Sequence, residues 1–165
     1  MGLIVIGYQG IGKSSIAGID NGIIDLESSL IKEPNGSRPV SWYKIYCDLA
    51  KSFADQGYTV CISSHACVYD ELIRTQDDKP YSVVAIFPAL ELREEWLSRL
   101  SHRLGEEPTQ KNWVAYLNAE KNFTHDITKL SENLTFPTIQ ITTLDFDLKE
   151  LLDAYKLHLT NSVES

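Results

Sequence analysis

The residues with the clearest chemistry are Gly7-Tyr8-Gln9-Gly10-Ile11-Gly12-Lys13-Ser14. Glycines at 7, 10 and 12 let a main chain wrap closely around an anion, with successive peptide N–H groups turned inward. Lys13 adds a point charge within reach of outer phosphate oxygens, and the Ser14 hydroxyl is of the kind that sits on Mg²⁺. The spacing G-x-x-x-x-G-K-S directly follows the apolar run Leu3–Ile6 and opens a helical stretch from Lys13. That context predicts a cradle for the phosphates of a nucleoside triphosphate, with Gly7, Gly10, Ile11, Gly12, Lys13, Ser14 and Ser15 as the binding segment.

Three further groups carry titratable chemistry. In Ile23-Ile24-Asp25-Leu26-Glu27 the acids are two apart, so on extended chain Asp25 and Glu27 share a face. Cys61-Ile62-Ser63-Ser64-His65 ends a third apolar run. In an open α/β sheet such a strand end lies beside the ligand crevice. There His65 either meets phosphates or an acceptor molecule, or caps the helix expected over Ala66–Arg74. Arg93, Arg99 and Arg103 follow a fourth run, and Arg99 and Arg103, four apart, share a helical face. Arg38 is a candidate clamp for an anionic acceptor, since a planar guanidinium fork matches that geometry, and Arg74 competes for the task.

These groups need a frame. Apolar runs of strand length occur at Leu3–Ile6, Gly22–Asp25, Thr59–Ile62, Ser82–Phe87 and Thr138–Thr142. They are continuous rather than alternating, as in strands covered on both faces. Helical periodicity separates them over Val40–Gln56, closed by Gly57, over Leu90–Leu104, from about Lys111, and over Asp147–His158. Trp96 on the second of these reads as core rather than as a base-stacking platform. Asn161–Ser165 reads as a frayed tail. Strands alternating with helices predict a three-layer α/β/α sandwich on a five-stranded parallel sheet, in one domain over residues 1–165. Two segments are candidates for movement. One is the polar, proline-bearing loop 32–39 on the acceptor side, and the other is the lid candidate 93–111, where Gly105-Glu106-Glu107-Pro108 would act as a hinge.

The tight form Gly7-x-x-Gly10-x-Gly12-Lys13-Ser14 resembles the phosphate loops of P-loop kinases of nucleoside monophosphates and small metabolites. That group includes adenylate, shikimate and gluconate kinases and phage deoxynucleotide kinases. The resemblance implies a P-loop NTPase fold, ATP and Mg²⁺, and transfer of a phosphoryl group to a small acceptor. The first expectation is a nucleoside or deoxynucleoside monophosphate, and a hydroxylated metabolite or a modified nucleobase is the alternative. By the same resemblance Asp25 is the Mg²⁺-side carboxylate and Glu27 the substrate-side one. Arg99 and Arg103 correspond to lid arginines that close over the transferring group. The segment between Lys13 and Gly22 is shorter than the first helix of those kinases.

Bulk properties narrow the classes. The 165 residues carry a net charge of −8, with 43% hydrophobic and 23% charged residues. An acidic chain lacks the basic footprint of non-specific duplex binding, so nucleic acid is not the expected partner. No apolar run reaches the roughly 18 residues of a membrane span. Cys47, Cys61 and Cys67 show no metal-ligand spacing and read as free thiols of a cytoplasmic protein. A nucleotide-dependent switch or accessory ATPase is the competing class. Against it, no third or fourth apolar run ends in an acid of the Walker-B kind.

Overall fold

The computed structural model describes residues 2–27, 37–75, 81–133 and 135–164. Most of the loop 32–39 therefore lies outside the described residues. Five parallel strands form one sheet: β1 (Gly2–Gly7), β2 (Ile23–Asp25), β3 (Thr59–Ser63), β4 (Tyr81–Pro88) and β5 (Thr138–Ile141). Their order is β2-β3-β1-β4-β5. β1 is central, pairing Leu3–Gly7 with Thr59–Ser63 on one side and Gly2–Gly7 with Tyr81–Ile86 on the other. Every residue of β1 is buried, which is why its sequence is continuously apolar. β5 is an edge strand and alternates instead, with Thr138 and Gln140 exposed and Ile141 buried.

Helices cover both faces of this sheet. α2 (Trp42–Asp55) turns Tyr46, Cys47, Ala50 and Ala54 inward at spacings of one, three and four, and it packs on β1, β3 and α3 (Ala66–Arg74). α5 (Gln110–Ser131) lies against β4 and against α4 (Arg93–Glu106), which follows a short 3₁₀ turn at Leu90–Leu92. α1 (Lys13–Ile16) contacts α6 (Leu148–Glu164).

α1 starts at Lys13 as expected and is short, a single turn, because Gly18 bends the chain back to bridge Ile23 at the start of β2. Two expectations need correction. α6 continues to Glu164, through residues expected to fray. The polar break at 105–108 is shorter than a hinge loop: α4 carries Gly105 and Glu106 inside it, and Thr109 already caps α5 by accepting the Asn112 N–H at 3.1 Å. Pro88, Ala89 and Trp96 are buried and α5 adds Phe123, Ile127 and Leu130, so the α4–α5 pair is anchored in the core. Among the described residues no helix is long and apolar enough to cross a membrane.

Candidate active site

The chain leaves β1 at the centre of the sheet, where strand order switches from β3 on one side to β4 on the other. Ligands of open α/β sheets bind at such a point. The segment Gly7–Ser14 lies there. Gly10 and Gly12 have φ of +93° and +101°, a region that side chains rarely adopt. A Cβ on Gly7 would lie 2.5 Å from Ile11 Cδ1 and 3.0 Å from Lys13 Cδ. Glycine at 7 thus makes room for the lysine stem as well as the turn. Tyr8 N–H donates to the Ile86 carbonyl at 3.0 Å, tying the loop to β4. Lys13 Nζ donates to the Gly7 carbonyl at 2.7 Å, and Ser15 Oγ donates to the Gly12 carbonyl at 2.8 Å. Ile11 is buried and anchors the loop, whereas Ser14 is exposed. Burial pushes the Lys13 ammonium below its ordinary range, while Asp25, then Cys61 and Glu27, pull it back up. A half-buried cation of this kind gains from an incoming anion. With α1 only one turn long, the attraction rests on loop peptides and Lys13 rather than on a helix dipole.

Asp25 closes β2 opposite Cys61, and Glu27 follows two residues on. Between them the Leu26 carbonyl accepts from Tyr46 Oη at 2.5 Å, and that oxygen accepts the Ser63 N–H at 3.0 Å. Tyr46 therefore ties the ends of β2 and β3 and fixes the peptide between the acids. Burial and the neighbouring Glu27 raise the Asp25 carboxyl above its usual range. For Glu27 burial acts in the same direction, but the hydrogen bond and charge of Lys111, with Asp25 and Lys13, outweigh it and lower the carboxyl. Lys111 Nζ lies 2.5 Å from Glu27 Oε1.

At the end of β3, His65 occupies the N-cap position of α3, and its side chain makes no cap. Instead its Nδ1 lies 2.7 Å from Ser63 Oγ, and its ring meets Trp42 edge-on at 5.6 Å. The Arg38 guanidinium lies 4.4 Å from the centroid of the same Trp42. Burial, then the charges of Arg38 and Lys13, push the imidazole below its ordinary value. Arg38 is thus brought to the site. Arg74 is not, since it binds Glu71 within α3 at 2.6 and 3.0 Å.

Across the loop, α4 presents Trp96 and Arg99. Trp96 is fully buried, as its periodicity indicated. Arg99 donates its Nε–H to the Gly10 carbonyl at 2.8 Å, so its guanidinium is held at the loop, and Arg103 lies close enough to lower its pKa after burial has done so. The sequence reading did not find Lys111, Trp42 or Tyr46. Lys111 carried one usable signal: a cation in the first turn of a helix opposes the dipole and needs a carboxylate to hold it.

This arrangement, a five-stranded parallel sheet of order 2-3-1-4-5 with a glycine-rich lysine loop leaving the central strand, defines a P-loop NTPase fold. The chain is similar to a solved gluconokinase from Sinorhizobium meliloti 1021, with TM-score 0.55 and 14% identity over 99% of this chain and 95% of that one. No protein-family model and no curated protein sequence matches it.

Proposed function

We propose that the chain is an ATP-dependent phosphotransferase acting on a small acceptor. The observation that carries this is the placement of Lys13 in the loop, with the charges of Asp25 and Glu27 acting on its ammonium from the end of β2. A donor phosphate and an acceptor hydroxyl need those two sides of one cleft. The left-handed glycines, Lys13, the exposed Ser14 hydroxyl and Asp25 form a donor set suited to a Mg²⁺-bound triphosphate, which would supply the electrophilic phosphorus. Lys13 neutralises charge on the outer phosphates. Asp25 would hold the Mg²⁺ side, and Glu27, the substrate-side acid, takes the proton of a hydroxyl acceptor as the new O–P bond forms and ADP leaves, whereas a monophosphate acceptor attacks through an ionised phosphate oxygen and needs no base. Glu27 orients the acceptor, with Arg38 and His65 on the same side. Arg103 and Lys111 are the cations from the α4–α5 pair that can meet the transferring group.

The first acceptor is a (deoxy)nucleoside monophosphate, whose phosphate suits Arg38. A hydroxylated metabolite is the second reading, favoured by the acid pair and by the likeness to a gluconokinase. The strand ends speak against a switch or accessory ATPase, because β3 finishes in Ser63 and β4 in Pro88, neither of them an acid. Incubation with ATP, Mg²⁺ and a panel of monophosphates and polyols, followed by ADP formation, tests the reading. Acceptor-dependent ADP release is the expected result, and slow release indifferent to every acceptor would sink it.

A further inference from the structure

Trp96 and Arg99 do more than fill the joint between α4 and the loop. The indole Nε1–H donates to the Gln9 carbonyl at 2.9 Å, and the Arg99 Nε–H donates to the Gly10 carbonyl at 2.8 Å. Two consecutive loop carbonyls are therefore held by side chains from one face of α4. The donors are themselves held. Trp96 stacks on Phe146 with centroids 5.9 Å apart and planes 14° apart, and the Arg99 guanidinium lies 5.3 and 5.1 Å from the two rings. The fit is close enough that a Cβ on Gly10 would lie 2.8 Å from Leu100 Cδ2 and 3.2 Å from Trp96 Nε1.

A trans peptide carries its N–H opposite its carbonyl. Holding the Gln9 and Gly10 carbonyls toward α4 therefore sets the directions of the Gly10 and Ile11 N–H groups. The second of these closes a turn onto the Tyr8 carbonyl at 3.3 Å. Glycine makes such a restraint necessary. A residue without Cβ populates both signs of φ, so the peptides flanking Gly10 rotate at little cost. Rotation of the Gln9–Gly10 peptide would exchange an N–H for a carbonyl oxygen at the anion site, and it would strip the indole of its acceptor.

We propose that Trp96 and Arg99 are positioning residues of the phosphate site. They keep the loop peptides in the orientation that receives a polyphosphate, so α4 tunes affinity without touching the ligand. The inference rests on the reading of Gly7–Ser14 as a triphosphate cradle.

The test uses the full chain and inorganic tripolyphosphate, with ATP beside it, titrated calorimetrically in Mg²⁺. Arg99→Lys keeps the charge and removes the Nε–H and the planar group. Trp96→Phe keeps a ring against Phe146 and removes the N–H. Each should weaken both ligands about five- to tenfold, the size of one lost hydrogen bond. The melting temperature of Arg99→Lys, a part-exposed site, should stay within about 4 °C. In ¹⁵N-labelled protein without ligand, the Gly10 and Ile11 amide resonances should move in Arg99→Lys, which removes the hydrogen bond to the Gly10 carbonyl while leaving the adjacent rings in place. Wild-type binding with both variants unaffected overturns the brace alone. Weakening in Arg99→Lys with none in Trp96→Phe also overturns it, since Arg99 would then be a phosphate contact. A wild-type chain that binds neither ligand overturns the triphosphate reading and the brace with it.

Discussion

The glycine-rich loop and the polar ends of β2 and β3 are built on different principles. On the phosphate side, backbone groups are committed to partners within the protein: Gly7 to Lys13, Gln9 to Trp96, Gly10 to Arg99, Gly12 to Ser15. That side is shaped in advance. At the ends of β2 and β3, side chains are held by other side chains, Glu27 by Lys111 and Arg38 over Trp42, whose ring also meets His65. On the proposed function, an arriving acceptor would have to exchange those partners. The contrast would then separate a site preorganised for one anion shape from a site that answers to whichever ligand repays the exchange.

Breaking the phosphate side should have the largest effect. Lys13→Ala should lower turnover by about a thousandfold or more, the range for a group aimed at developing charge. Its melting temperature should hold or rise, because burial already disfavours that ammonium. Full activity in a folded variant would remove the cradle assignment. Next in size is Asp25→Asn, with kcat expected to fall about a hundredfold and the ATP Kd to change little. Without Mg²⁺ the Asp25 carboxyl is raised above its ordinary 3.8, so protonation competes with the cation as pH falls through that higher value. The Mg²⁺ concentration needed for half-maximal rate should therefore rise on acidification. By the same sign the ionised group opposes folding above its raised pKa, so the Asn variant should melt no lower than wild type at pH 7. Mg²⁺ titrations of the rate across pH and a melt decide both points.

Gly10→Ala sharpens the contrast at intermediate size. Its Cβ would meet Leu100 Cδ2 at 2.8 Å with φ at +93°, a strain of about 1–3 kcal/mol. A denaturant midpoint unchanged from wild type would show the loop to be looser than described. The smallest effect belongs to the acceptor side. A double-mutant cycle on Glu27→Gln and Lys111→Met should give a coupling under about 1 kcal/mol, because both side chains are more than a third exposed. Lys111 lowers the Glu27 carboxyl below its ordinary 4.5, so the coupling should be complete above that pH and fade as pH falls through the lower folded value. A coupling that grows on acidification would contradict the pair.

Much of the frame was legible because it is written locally. Continuous Val and Ile runs placed all five strands within a residue or so, and Ala66–Arg74 was bounded as found. The loop was legible for the same reason, since its chemistry is carried by adjacent residues. What the sequence hid was distant. Lys111 meets Glu27 across 84 positions, and no periodicity marks either for the other. Arg99 and Arg103 were expected to act together from their shared face, yet the Gly10 carbonyl engages Arg99. Tyr46 is core, but its hydroxyl joins β2 to β3, which a helical periodicity over Val40–Gln56 does not mark.

The brace also imposes an order in time. Gln9 and Gly10 are 87 and 89 positions ahead of the residues that hold their carbonyls. During synthesis the loop emerges from the ribosome long before Trp96 and Arg99 do, and β1 must wait for both β3 and β4 before both of its edges are covered. Contacts so far apart along the chain close late and slowly. On the proposed brace, the shortest motif in the sequence would thus be among the last parts of the fold to be finished, and a nascent chain should grip phosphate more weakly until α4 has docked.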